Sequence, residues 1–143
     1  MHALHVKKIV LDAKIPQYAH PGDAGLDLYA VEDLAIKPGE TKQVKTGIAM
    51  AIPQGYVGLI WDKSGIALKN LVHSMGGVID AGYRGEILIV LRNFGHVDFV
   101  IGKHMKVAQM LIQPVSSYTI VEVDGELAET SRGSGGFGST GLR

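Results

Sequence analysis

Apolar residues along the chain come in short runs separated by Gly, Pro and Asp: LDLYAV (26–31), VKTGIAMAI (44–52), YVGLIW (56–61), EILIVLRNF (86–94), KVAQMLIQPV (106–115) and YTIVEV (118–123). Short segments rich in β-branched residues and bounded by turn formers predict strands packed as a sandwich or barrel. KPGE (37–40) and IPQGY (52–56) have the chemistry of tight turns. Helical spacing is confined to Ser64–Met75, where Ala67, Leu68, Leu71, Val72 and Met75 recur three and four apart. The pattern predicts an all-β domain with one short helix and no internal repeat.

The pattern changes after Val123. Residues 124–143 hold few apolar groups and five glycines from 133 to 141, so they cannot bury enough surface to offset their ordering entropy. This divides the chain into a β core (1–123) and a flexible Gly-rich C-terminal arm (124–143). At 143 residues and 15.3 kDa it is one domain's worth of polypeptide. Lys and Arg total 14, as do Asp and Glu, so there is no basic excess to hold nucleic acid or an anionic membrane. Cysteine is absent, which excludes disulfides, thiolate catalysis and cysteine-ligated metals and suits a reducing compartment. With no signal-peptide pattern and no apolar span of bilayer length, the expectation is a cytoplasmic protein.

Four segments carry candidate chemistry. In DAGLDLYA (23–30), Asp23-Ala24-Gly25 suits a turn, and Leu26, Leu28 and Ala30 alternate as on a strand, which puts Asp27 on the opposite face. There it is either an exposed strand carboxylate or a ligand to a hard cation or its waters. In DKSGIALKN (62–70), Ser64 suits a helix N-cap, but helix N-termini also bind anions, and Lys63 adds a point charge. In GVIDAGYRGEI (77–87), Val78 and Ile79 lead into the turn formers Asp80 and Gly82 and then a strand, which is a hairpin pattern. Its rim either only shapes the turn or presents to a ligand the Tyr83 ring and an Asp80 carboxylate able to take a proton from water. In the arm, Arg132 and Phe137 bracket glycines whose free N–H groups suit a lid over a phosphorylated aromatic ligand.

Two other patterns are set aside. Gly133, Gly135 and Gly138 match G-x-G-x-x-G, but the five residues that follow leave no room for the helix a dinucleotide fold requires. The six histidines show no H-x-x-x-H or similar pair, which argues against zinc.

Taken in order, DAGLDLYA (23–30), DKSGIALK (62–69), GGVIDAGYRGEI (76–87), GKHMKVAQMLI (102–112) and RGSGGFGSTG (132–141) resemble the five motifs of the homotrimeric deoxyuridine triphosphate nucleotidohydrolases, the dUTPases. The resemblance implies a jelly-roll β-barrel subunit, three of which surround a threefold axis and share their active sites. It implies hydrolysis of dUTP to dUMP and pyrophosphate with Mg²⁺ as cofactor, limiting uracil in DNA and supplying dUMP for dTMP synthesis. By position, Asp80 would orient and deprotonate the water that attacks the α-phosphorus. Tyr83 would pack under the deoxyribose and exclude a 2′-hydroxyl, while backbone groups around Gly77 and Ile79 would read uracil. Asp27 would hold waters of the magnesium ion. Lys63, Ser64, the Gly65 amide and Gln109 would contact the phosphates, and Arg132 would grip the γ-phosphate. Gly135 and Gly136 would let the arm approach, and Phe137 would stack on uracil.

Two departures from that family's pattern stand out. Its second motif commonly has Arg before Ser-Gly, often as Pro-Arg-Ser-Gly, where this chain has Asp62-Lys63. Lys keeps the charge and loses the bidentate fork, and Asp62 is expected to neutralise it in part. The third motif often has a second acid before its Tyr, where Gly82 stands. Two alternatives share the fold. A dCTP deaminase would need a glutamate base, for which Glu86 is the candidate. A non-catalytic trimeric nucleotide-binding module would be expected to lack Asp80, Tyr83 or the Arg132–Phe137 arm, and all are present.

Overall fold

The structure, a computed structural model, describes residues 3–136. Among these the elements run β1 (His5–Lys8), β2 (Gln17–Tyr18), β3 (Leu26–Tyr29), β4 (Leu34–Ile36), β5 (Thr41–Ala51), β6 (Tyr56–Trp61), α1 (Ser64–Asn70), β7 (Val72–Met75), β8 (Val78–Ile79), β9 (Glu86–Asn93), β10 (Phe99–Ile101) and β11 (Lys106–Pro114). Every pairing is antiparallel, in sheets ordered β1-β5-β9-β7, β2-β3-β11-β6-β8 and a small β10-β4. This is an all-β sandwich with one short helix, as the pattern predicts, and the jelly-roll subunit that the resemblance implies. No helix among the described residues is long and apolar enough to cross a membrane.

Alternation makes the core. On β9, Ile87, Ile89 and Leu91 point inward and Leu88, Val90 and Arg92 are partly exposed. Val44, Ile48 and Met50 of β5 and Leu28, Val107 and Met110 of the facing sheet complete a single buried cluster. Each such side chain contributes about 1.5–3 kcal/mol. Thr46, Gly47 and Ile48 are all buried in succession because the β5–β9 register shifts between Lys45 and Ala49, a bulge that breaks the alternation. Two of the buried polar residues are satisfied: Thr46 donates to the Ile87 carbonyl at 2.6 Å, and the Asn93 amide donates to Ile36 and Val97, each at 2.8 Å. Both expected turns close, with Glu40 N–H donating to Lys37 O at 2.9 Å and Tyr56 N–H to Pro53 O at 3.1 Å.

Four local expectations are corrected. The helix ends at Asn70, because Leu71 turns left-handed (φ 54°) and Val72–Met75 becomes a strand beside β9. Residue 64 is also not its cap: Lys63 holds that position in extended conformation, without a side-chain cap bond, and Ser64 is the first helical residue. The 77–87 stretch is not a hairpin, since β8 pairs with β6 in one sheet and β9 with β5 and β7 in the other. Its turn therefore carries the chain from one layer to the next. Residues 118–123 form no strand within the chain, and Tyr118, Ile120, Val121 and Val123 stand exposed.

Candidate active site

Strand register brings three of the sequence segments to one corner. Gln109 on β11 lies opposite Asp27 of β3 on one side and Trp61 of β6 on the other, so residues 62–65 leave β6 beside both. Asp27 is 3% exposed, which corrects the reading of it as an exposed strand carboxylate. Lys63 Nζ donates to Asp27 Oδ1 at 2.5 Å, and Lys106 Nζ lies 2.6 Å from Oδ2. Oδ2 nevertheless lacks a hydrogen bond of good geometry, so the Lys106 contact is chiefly an ion pair. Burial pushes the Asp27 carboxyl up, and the two ammonium groups outweigh it, leaving its pKa below the ordinary value. Lys106, whose own pKa Asp27 raises, was not singled out by the sequence.

Asp62 does not neutralise Lys63 as expected. Its Oδ1 accepts from Ser74 N–H at 2.5 Å and its Oδ2 meets His73 Nδ1 at 2.6 Å, tying the end of β6 to β7. Burial raises the Asp62 carboxyl, and the Ser74 and His73 contacts bring it below the usual range. The Asp62 carbonyl accepts from Gln109 Nε2 at 2.8 Å. That geometry explains Gly25: a Cβ there would collide with the Gln109 side chain, which packs directly over it. Ser64 and Gly65 follow, both exposed.

A second cluster lies on the layer-crossing turn. Ile79, Asp80, Tyr83, Glu86 and Leu88 line a cavity of about 140 Å³. Tyr83 N–H donates to Asp80 O at 3.0 Å, and its hydroxyl donates to Glu86 O at 2.9 Å, which fixes a ring still 42% exposed. The Asp80 carboxylate is exposed and makes no hydrogen bond or ion pair among the described residues. Gly77 precedes the turn at φ 97°, and its carbonyl accepts from Ile60 N–H at 2.8 Å. A Cβ there would press on the Ile60 backbone, so both its conformation and its space demand glycine. The Glu86 carboxylate accepts from Gly47 N–H at 2.8 Å, facing β5.

The arm supplies a third group. Arg132 is exposed, and its Nε donates to the Gly135 carbonyl at 2.9 Å, folding the segment on itself beside Gly136. Phe137 and Gly138 lie outside the described residues. Among the described residues no hydrogen bond or ion pair joins the Asp27 corner, the Asp80–Tyr83 turn and Arg132 to one another within one chain.

The family model for dUTPase matches residues 12–141. A deoxyuridine 5'-triphosphate nucleotidohydrolase of Clostridioides difficile is 50% identical over 99% of this chain and 100% of its own. One of Alkaliphilus metalliredigens is 48% identical over the full length of both. Among solved structures, the Staphylococcus bacteriophage 80alpha dUTPase with dUpNHpp superposes with a TM-score of 0.94 at 29% identity, covering 99% of this chain and 100% of that one. A point mutant of the dUTPase from phage phi11 of S. aureus, described with a structural Mg(II) ion, superposes with a TM-score of 0.82 at 27% identity over 87% of this chain and 98% of that one.

Proposed function

The chain belongs to the dUTPase family and is a dUTP diphosphatase, and from that premise we propose how its residues divide the release of dUMP and pyrophosphate. The observation that carries the reading is the corner where Asp27 and Gln109 on adjacent strands meet Lys63 just past the end of β6, three residues from three separate motifs. Lys63, Ser64, the Gly65 amide and the Gln109 amide face the phosphate chain there. Lys63, Gln109 and later Arg132 stabilise the charge that moves onto pyrophosphate as the bond at the α-phosphorus breaks. Asp80, with no competing partner, accepts a proton from the attacking water. Tyr83, its ring held by the Glu86 carbonyl, supports the sugar and leaves no room for a 2′-hydroxyl. Backbone groups around Gly77 and Ile79 read the uracil edge, and a rigid wall excludes thymine's methyl, since an apolar pocket alone separates a methyl by only about 1–3 kcal/mol.

Magnesium fits this corner in one way. No group of three His, Cys, Asp or Glu side chains able to hold a metal occurs among the described residues, so the phosphates and waters would supply most of its ligands. Asp27, a buried carboxylate without a full set of hydrogen bonds, is the acidic side chain suited to hold its waters. Once bound, Mg²⁺ would neutralise phosphate charge.

That no hydrogen bond or ion pair among the described residues joins the three clusters within one chain fits a homotrimer that assembles each site from different subunits. In that assembly a β core (1–123) carries the corner and the turn. An arm (124–143) then closes with Arg132 on the γ-phosphate, Gly135 and Gly136 against the phosphates, and Phe137 on uracil. The activity limits uracil in DNA and supplies dUMP. One oxygen of the Glu86 carboxylate is engaged by the Gly47 amide, which weighs against it as the base of a deaminase.

The test is pyrophosphate release with Mg²⁺ from dUTP, dCTP, dTTP and UTP offered separately. We expect release from dUTP at least about 100-fold faster than from the others. A comparable rate on UTP would remove Tyr83 as the sugar filter, and ammonia from dCTP would install the deaminase instead. Gly25→Ala should displace the Gln109 side chain and lower kcat/KM for dUTP about tenfold or more, the cost of one hydrogen bond to a charged group. Unchanged kinetics in that variant would take Gln109 off the phosphate chain.

A further inference from the structure

Lys63 and Lys106 share one carboxylate, yet they are held differently. Lys106 starts from β11, paired with β3 opposite Tyr29, so its stem rises from fixed sheet. Lys63 sits past the end of β6 in the extended residue before α1, a helix that begins without a side-chain cap. Its ammonium makes no contact besides Asp27 among the described residues, and it lies next to the exposed Ser64. The Asp27 side chain is only 4% exposed, so its charge depends on the cations beside it. The two ammonium groups hold that one carboxylate between them, Lys63 at Oδ1 and Lys106 at Oδ2. Both carboxylate oxygens already face an ammonium, so neither is free to receive the water shell of a divalent cation while both lysines stay.

Resting on the reading of Asp27 as the residue that holds magnesium's waters, we propose that Lys63 is an exchangeable counter-ion. It leaves Asp27 when a divalent cation arrives with the nucleotide and passes to the phosphate chain, while Lys106 remains. Asp27 thus stores Lys63 in the empty site. A cation crowding the same carboxylate repels the ammonium on the partly exposed Lys63 stem, and the phosphates beside Ser64 receive it. Metal binding and the Lys63–phosphate contact are then one coupled event, with a coupling that should exceed the sum of its parts.

The experiment is calorimetric binding of dUpNHpp to the full chain, native and Lys63→Met, in EDTA and in Mg²⁺, with circular dichroism as the folding check. We expect Lys63→Met to weaken binding at least about tenfold more in Mg²⁺ than in EDTA. Equal weakening in both conditions would mean that Lys63 already sits on the phosphates, and no weakening in either would mean that it never leaves Asp27. Each result overturns the exchange, as does a native affinity indifferent to Mg²⁺. Failure of the native chain to bind the analogue at all would instead overturn the dUTP site on which the exchange rests. Lys63→Gln provides the same comparison if the methionine variant does not fold.

Discussion

Replacing Asp80 by Asn is expected to lower kcat for dUTP roughly 10²–10⁴-fold, the usual worth of a general base. The substitution isolates the proton-accepting role unusually well. What holds the turn is the Asp80 carbonyl, which receives Tyr83 N–H at 3.0 Å, and not the carboxylate, which is exposed and unpaired among the described residues. Asparagine has the same shape and favours the same turns, so the ring of Tyr83 and the cavity beside it should stay in place. The variant also loses a negative charge near a triphosphate, which works in favour of binding. Affinity for dUpNHpp should therefore be kept or improved while turnover collapses, the signature of an interaction made in the transition state. Stopped-flow pyrophosphate release and calorimetry on the same preparation measure both halves. A kcat within tenfold of native would move the base elsewhere, and a lost affinity would make Asp80 a binding residue.

Strand positions were legible where one face is buried. EILIVLRNF and YVGLIW become β9 and β6 because alternation there reports the core directly. The same logic failed where an apolar pattern had two physical readings. Ala67, Leu68, Leu71, Val72 and Met75 fit a helical stripe, yet a left-handed Leu71 ends the helix and the pairing of Val72–Met75 with β9 wins. No glycine marked that break. Residues 118–123 have strand character but form no strand among the described residues, so their pattern alone does not decide what they pack against.

The site was legible by motif more than by geometry. Alternation put Asp27 opposite Leu26 and Leu28 correctly, but it implied exposure, whereas both faces of β3 are covered at that point. Asp62 looked like the natural partner of its neighbour Lys63, and instead the end of β6 directs it to Ser74 and His73. Lys106 was missed because a lysine opening an apolar run reads as a solvated strand end. The one signal available was its place three residues before Gln109, on the strand that faces Asp27.

Asp27 also leaves a stability signature that separates its lysines from its burial. Asp27→Ala is expected to cost about 1–3 kcal/mol at neutral pH, the range for hydrogen bonds to charged groups. It stays below the ~3–5 kcal/mol of a pair with no path to solvent. The reason is that Lys63 and Lys106 are 29% and 45% exposed and can turn their ammonium groups to water. In the native chain the carboxyl titrates below its ordinary value, so its contribution is complete above the unfolded pKa of about 3.9 and is lost as pH falls through the lower folded value. Urea unfolding at fixed chain concentration should therefore show a native–variant gap that is flat from neutral pH down to about 4 and closes only below it. Lys106→Met keeps the burial and removes one of the two cations that oppose it. Asp27 should then titrate at a higher pH, and acid loss should begin earlier than in the native chain. If the native gap already closes between neutral pH and about 5, burial and not the lysine pair governs the carboxyl. Asp27 would then be a strained acid waiting for a metal rather than a carboxylate held ready by its two cations.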